Sequence, residues 1–551
     1  MDAAALNKML EGRVKDLAAQ KRGSSKADLD ARRTLLQKAL GLYPLPPRPD
    51  LKARVTGTIP RDGYRIEKLR YESRPGLLVT AHLYLPEASN TQYPTPQYSG
   101  PRPLIVSAHD TQKGKKAAPF VQARGIAFAL RGFATLVVDA PGSFGDDLSL
   151  DERGTIGAPG DPALAAGTPW IGEYAWDLIR GVDACLGRPD IDPVNIGITG
   201  DGDGGIAALM AFALEPRFLC AALVCTAPSM EQKSLESIAQ LGLPGIALAG
   251  DFSDILALRA PAPVMLIGAK EDDRFHIDDL AKTAEKLARV NRNSRFEPFE
   301  GGHDYNRRMR EATAAFFAEN ILQEPRRVYL PELRPLTDGL LNPYPSGTAP
   351  ADAPELLVTE LAERGTLTFS DLLRDALTTS TPAPFRAEDR FVPWLRYAPH
   401  PGMSSASVLG LHDSGVAAPK IAPSIELPAD AVDFRLAWMA GLGVCEIFAQ
   451  VLHLTLPGRP ETWEREAIAG DGLSAMIASV KTLVKSASGD AAPTRVVGEG
   501  PVSSLTAMFL KLCRPNIEIE TSHTWSGWTN LLETPGAELI QPLARYLEWP
   551  F

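Results

Sequence analysis

Asn195-Ile196-Gly197-Ile198-Thr199-Gly200-Asp201-Gly202-Asp203-Gly204-Gly205, with the apolar run Ile206–Leu214 behind it, decides the fold. The first five residues read as an apolar strand, the glycines as a tight turn, and Ile206–Leu214 as a helix. In a G-x-S-x-G turn between a strand and a helix, the central serine is held up as an attacking group. Here Gly202 stands at that centre and has no side chain to attack with.

Short apolar strands alternate with helices on both sides of this turn. Strands are expected at Leu104–Ala108, Ala134–Val138, Asn195–Thr199, Cys220–Cys225 and Val264–Ile267. Helices are expected at Val121–Arg131, Tyr174–Leu186, Gly205–Leu214 and Ile277–Val290. Repeated βα units with apolar strands predict a mostly parallel sheet covered by helices on both faces, with ligands bound beyond the carboxyl ends of its strands. Upstream, three β-like runs (Arg54–Ile59, Tyr64–Ser73, Leu77–Leu85) are separated by the turn pairs Asp62-Gly63 and Pro75-Gly76. Residues 1–40 read as helical, closed by Gly41 and the proline run from Pro44 to Pro49. Ala88–Pro101 reads as a surface loop.

The chain of 551 residues exceeds one ordinary core. The expected division is a helical segment over 1–50, an α/β domain over 51–323, a connecting segment over 324–400 and a smaller α/β domain over 401–551. The last part repeats the pattern of the first. Ser407–Asp413 echoes Ile105–Asp110, and Thr494–Gly500 echoes the turn region, again with a glycine (Gly500) at its centre. His523 follows a strand-like run there, and a structural or interface role, including self-association through this domain, is expected.

A net charge of −10 argues against broad nucleic-acid binding. No apolar run approaches the roughly 20 residues that span a membrane. Met1–Lys8 lacks the charged segment and apolar core of a secretory signal, so a cytoplasmic place is expected unless a leader has been removed. The five cysteines, Cys185, Cys220, Cys225, Cys445 and Cys513, have no C-x-x-C spacing and read as buried thiols. Asp201-Gly202-Asp203-Gly204 lacks the glutamate a calcium loop needs at its twelfth position, where Phe212 stands. No metal or cofactor is expected, and the partner is a small-molecule substrate.

The strand–turn–helix setting is that of a nucleophile elbow in an α/β-hydrolase, where an acid and then a histidine follow in chain order. Asp272, after Val264–Ile267, stands in the acid's place, with Glu271 and Asp273 as neighbours. His303, after Gly301-Gly302, stands in the base's place. The oxyanion side of the cleft would draw on the N–H of Asp203 next to Gly202 and on the loop His109-Asp110-Thr111. Three readings stay open: a dead site kept for binding; attack by the carboxylate of Asp203, or secondly Asp201; or direct action of His303 and Asp272 on water or an acidic proton.

Further residues carry a family resemblance. Gly41-Leu42-Tyr43-Pro44-Leu45-Pro46-Pro47, Arg61–Lys68, Ser73-Arg74-Pro75-Gly76, Trp176-Asp177, Arg180, Arg188–Asp192, Ile196–Gly200 and Glu300-Gly301-Gly302-His303 resemble the acetylxylan-esterase-like branch of the α/β-hydrolases. The second half resembles the degenerate hydrolase-like domain of its tandem members. The resemblance implies hydrolysis of acylated sugars or similar carboxyl esters. It places the family's Thr-Gly-Asn-Ser-Gly-Gly over Thr199–Gly204, so that serine maps onto Gly202. The function expected is an enzyme of this superfamily using Asp and His on a small organic substrate; the alternative is an inactive hydrolase-like binding or scaffolding protein.

Overall fold

The structure is a computed structural model. It describes residues 3–74, 77–87, 100–111, 115–141, 169–243, 245–324, 333–336 and 341, and then 408–413, 424–427, 436, 439–440, 495–499, 507 and 518–521. Two compact units are present, one of Val14–Ala163 and Thr168–Leu356, the other of Met1–Arg13, Leu164–Gly167 and Leu357–Phe551.

The larger unit is built on nine strands: β1 Arg54–Arg61, β2 Tyr64–Arg74, β3 Leu77–Pro86, β4 Arg102–Ser107, β5 Ala134–Val138, β6 Ile191–Asp201, β7 Phe218–Val224, β8 Val264–Ala269 and β9 Ser294–Phe299. Their order across the sheet is β1-β2-β3-β5-β4-β6-β7-β8-β9. The first three are antiparallel neighbours, β3 meets β5 antiparallel, and every pairing from β5 to β9 is parallel. This is the α/β-hydrolase sheet with one extra antiparallel strand at its start. Strands β5, β7 and β8 are buried almost throughout because helices cover both faces.

The chain leaves β4 for β5 on one side and returns to β6 on the other. That reversal is the switch point beside which ligands bind in open α/β sheets. Asp62 and Gly63 form the two-residue turn expected between β1 and β2, since Arg61 pairs with Tyr64 and Gly63 has φ +79°. The Pro75-Gly76 turn and most of the expected loop 88–101 lie outside the described residues.

The helices are α1 Ala3–Ala19, α2 Lys26–Ala39, α3 Pro119–Ala129, α4 Trp170–Leu186, α5 Gly202–Leu214, α6 Leu235–Ala239, α7 Ile246–Ala249, α8 Phe252–Ala257, α9 Ile277–Val290 and α10 Arg307–Ile321. Helix α2 opens on a capping box between Ser25 and Asp28 and closes on Gly41, which turns left-handed at φ +65°. Helix α9 buries Leu280, Thr283 and Leu287 along one stripe, as a surface helix does. Helix α5 is buried on every side from Gly202 to Ala213, because apolar residues occupy its whole circumference.

In the smaller unit the described strands are β10 Val408–Asp413, β11 Ser424–Leu427, β12 Arg495–Glu499 and β13 Glu518–Thr521, all parallel, in the order β11-β10-β12-β13. That repeats β5-β4-β6-β7 of the large sheet. The two echoes read in the sequence are thus neighbouring strands, as β4 and β6 are. Gly500, His523, Cys445 and Cys513 lie outside the described residues, as does nearly all of the 324–400 connection.

Close packing of the turn after β6 fixes where its loops can lie. A Cβ on Gly204 would fall 2.2 Å from the carbonyl oxygen of His109, a backbone atom that moves only with its strand. Gly204→Ala is therefore expected to cost about 2–3 kcal/mol in a urea titration. Gly187→Ala, at an exposed helix end with nothing within 4 Å, should stay within about 0.5 kcal/mol.

Candidate active site

Three strand ends and one loop supply the site. Strand β4 runs into Ala108, His109, Asp110 and Thr111, strand β6 ends on Asp201, strand β8 is followed by Asp272, and the loop after β9 carries His303. Backbone bonds lace the last two together: Lys270 N–H donates to Phe299 O and Glu271 N–H to Gly301 O, both at 2.9 Å. Gly202, at φ +55°, makes the sharp turn between strand and helix, a conformation in which side chains are strained. Its carbonyl accepts from Thr226 Oγ1 at 2.7 Å.

A side chain does occupy the space beside Gly202, and it comes from Asp110. A Cβ built on Gly202 would lie 2.2 Å from Asp110 Cγ and within 2.5 Å of both its oxygens. Asp110 Oδ1 accepts the Asp203 N–H at 2.8 Å, and Oδ2 accepts from His303 Nε2 at 3.2 Å. On the far side of the ring, Nδ1 meets Asp272 Oδ2 at 2.9 Å. Asp272 is in turn fixed by the N–H groups of Arg274 and Phe275, at 3.0 and 2.9 Å. The result is a carboxylate–imidazole–carboxylate row, with its first member resting on a backbone N–H.

Arg274 closes the row from the rim. Its guanidinium donates to both oxygens of Asp110 at 3.3 Å and to Asp203, and it lies over the ring of Phe275. Thr111 Oγ1 donates to the other oxygen of Asp203 at 3.2 Å.

Burial opposes charge on every member of this group, and the partners decide the outcome. For His303, burial pulls the ring pKa down, but the hydrogen bonds and charges of Asp110 and Asp272 overcome it and push it up to about 10. The ring is an imidazolium at neutral pH. Burial likewise raises Asp110 and Asp272, yet the hydrogen bond from His303 and the neighbouring donors hold both below the usual carboxylate range. Asp203 goes the other way: burial and the adjacent Asp110 charge raise it despite Arg274.

The residues singled out in the sequence distribute as follows. His303, Asp272 and Asp110 meet directly. Asp203 supplies its N–H to the row while its carboxylate is held by Arg274 and Thr111. Asp201 faces a different partner, Arg124, whose Nη1 donates to it at 2.6 Å. Glu271 and Asp273 are exposed, and neither takes the place of Asp272. His109 is fully buried: Nδ1 lies 2.8 Å from the backbone oxygen of Asp110, and Nε2 lies 3.3 Å from Asp139, which Lys116 also binds at 2.8 Å. It holds the base of the Asp110 loop.

Arg274, Arg124 and Cys225 escaped the sequence reading. Arg274 stands two residues past Asp272 in a charged run, and no spacing rule ties it to Asp203. Cys225 Sγ, Asp272 and His303 offer a sulfur, an oxygen and a nitrogen within 4.8 Å of one another, so these three could hold a metal ion. Each donor atom already has a partner from the chain, since Cys225 Sγ donates to Asp304 O at 3.4 Å and Asp272 binds the ring.

No family model and no curated protein matches the chain. Among solved structures it is similar to Methylesterase BT1017, at 20% identity and a TM-score of 0.44, over 64% of this chain and 76% of that one. It is also similar to a glucuronoyl esterase from Solibacter usitatus, at 14% identity and a TM-score of 0.40, over 58% and 94%. A third is an acetyl xylan esterase from Paenibacillus sp. R4, at 17% identity and a TM-score of 0.39, over 56% and 99%. The strand order and pairing directions, rather than these likenesses, define the fold.

The overlap of Asp110 with the absent side chain of Gly202 is open to a thermodynamic test. Gly202→Ser forces Asp110 aside, and pairing it with Asp110→Gly removes the conflict. A double-mutant cycle should show the pair more stable than additivity predicts, by about 1–3 kcal/mol. Additive effects would place Asp110 elsewhere.

A second test uses pH. His303 is raised above its unfolded value, so its stabilising contribution is complete below pH 6.5 and is lost as pH rises through about 10. Chemical-denaturation midpoints should decline across that window, and His303→Gln should flatten the decline.

Proposed function

We propose that the chain is a hydrolase of small organic substrates in which the Asp110 carboxylate does the work of the missing serine. The observation that carries this reading is the position of that carboxylate: in the space over Gly202, one oxygen on the Asp203 N–H and the other on His303.

The charges suit a two-step displacement. Asp110 Oδ2 attacks a carbon that bears an oxygen leaving group, forming an ester, and the C–O bond to that group breaks. His303 is an imidazolium at rest, so Nε2 supplies the proton the departing oxygen takes. Esterification removes the negative charge on Asp110, which is one of the two charges that keep the ring protonated. The neutral ring left behind is then a base. It draws a proton from water as the water attacks Cγ of Asp110, with the developing oxyanion on Oδ1 facing the Asp203 N–H. Collapse releases the alcohol and restores the carboxylate and the imidazolium. Asp272 stays ionised throughout and orients the ring. Compared with attack by Asp203 or Asp201, this assignment needs no shift of register along the turn.

Single-turnover reaction in ¹⁸O-water, with epoxide, alkyl-ester and haloalkane panels, tests the reading. One ¹⁸O atom is expected in the peptide carrying Asp110. Asp110→Asn should lower kcat/KM by roughly a thousandfold or more, as loss of a nucleophile does. Unlabelled Asp110 during turnover, or full activity in Asp110→Asn, would overturn it. An absence of turnover on every substrate class would favour a binding protein instead.

A further inference from the structure

We infer that Arg124 is a positioning residue, which grips Asp201 and the loop after His303 so that the glycine turn and the histidine meet in register. The inference rests on the roles given above to Asp110 and His303.

Arg124 sits on α3 and is 1% exposed. Besides its bond to Asp201, its guanidinium lies over the ring of Tyr305, 4.6 Å from the centroid. Tyr305 follows His303 by two residues. Its hydroxyl bonds Thr199 Oγ1 at 3.0 Å and Thr313 Oγ1 at 2.8 Å. Thr199 precedes Asp201 by two residues on β6. The contacts form a closed circuit of Asp201, Arg124, Tyr305 and Thr199, and the backbone of β6 completes it. One arm ends next to Gly202 and the other next to His303.

Stability alone is a poor reason for this arrangement. A buried ion pair is often no more stabilising than apolar residues of the same volume. Here Nε and Nη2 of Arg124 have no hydrogen-bond partner at all, which adds an uncompensated desolvation cost. A charged fork does supply direction. The Asp201 carboxylate is held on the α3 side of the turn while Arg274 holds Asp203 at the rim. The peptide between them is thereby set, and the N–H of Asp203 points at Asp110. Reacting groups tolerate misplacement of only about half an ångström, so the gain is in alignment.

The test compares Arg124→Met/Asp201→Asn, which removes both charges together, with Arg124→Lys. The protein is labelled with ¹³C- and ¹⁵N-histidine, and the His303 signal is identified by its loss in His303→Gln. In the folded double variant the His303 titration midpoint should drop by about one pH unit or more, since its two carboxylates no longer converge on it. On a substrate that is turned over, kcat should fall about tenfold or more with KM within about threefold, and Arg124→Lys should lie between. A His303 titration curve unchanged in a folded double variant would overturn the inference, however far the melting temperature moves. If the double variant does not fold, an unchanged His303 titration in Arg124→Lys overturns it equally. Failure of the hydrolase reading would show separately, as full turnover in Asp110→Asn, and leaves the titration result to decide the role of Arg124.

Discussion

The site depends on a single exchange of space: the turn after β6 gives up its side chain at Gly202, and the loop after β4 fills the gap with the Asp110 carboxylate. Neither half works without the other. A Cβ at residue 202 would drive Asp110 out, and without Asp110 the imidazolium of His303 would keep only one of its two anionic partners. The exchange is possible because β4 and β6 are neighbours at the switch point of the sheet, where their carboxyl ends open onto one crevice. Gly204 brings the two backbones into contact, so that a residue following β4 reaches the middle of the turn.

Electrostatics explains why so many charges persist in a buried place. Asp110, Asp203 and Asp272 lie against Arg274 and His303, and each anion has a cation or backbone N–H within hydrogen-bond distance. Removing one member would strand another, which is the costly case for buried charge. The arrangement also ties the protonation of His303 to the charge on Asp110. While the carboxylate is free, the ring holds a proton; once it is esterified, the ring lets the proton go. One residue then serves as acid and later as base with no further titrating group. The same cations weaken Asp110 as a nucleophile in the resting state. Orientation against a fixed N–H is what the fold offers in return.

Much of this was legible in the sequence. The apolar strands β4 to β8 stood out because burial on both faces makes them continuous runs. The parallel pairing of β10 with β12 followed from two echoes of the first half, Ser407–Asp413 and Thr494–Gly500. Asp272 and His303 could be placed by chain order and by the glycines flanking them. Strand β9 escaped, since Ser294–Phe299 alternates exposed and half-buried residues at the edge of the sheet and lacks an apolar run. The partner of His303 escaped for a different reason. Chain order points to the turn itself, at Asp201 and Asp203, whereas Asp110 arrives from 93 residues away through a clash visible only in three dimensions. Arg124 and Arg274 are invisible for the same reason, being bound to the turn through packing rather than spacing.

The two arginines divide the turn between them, and their difference in exposure follows from what each must allow. Arg274 lies at the rim, its side chain 27% exposed, and it shares itself between Asp110 and Asp203. When Asp110 changes charge during a reaction, a rim guanidinium can turn to Asp203 and to water without stranding its own charge. Arg124 has no such freedom. It is sealed beneath the turn with one carboxylate and the face of one aromatic ring, and Asp201 has no part in the chemistry that would alter its charge. A buried cation is tolerable only beside an anion that never reacts. On this argument the two aspartates flanking Gly202 are not alternatives for the nucleophile. One is the fixed anchor of the turn, the other the reservoir that keeps the rim cation in place while Asp110 reacts.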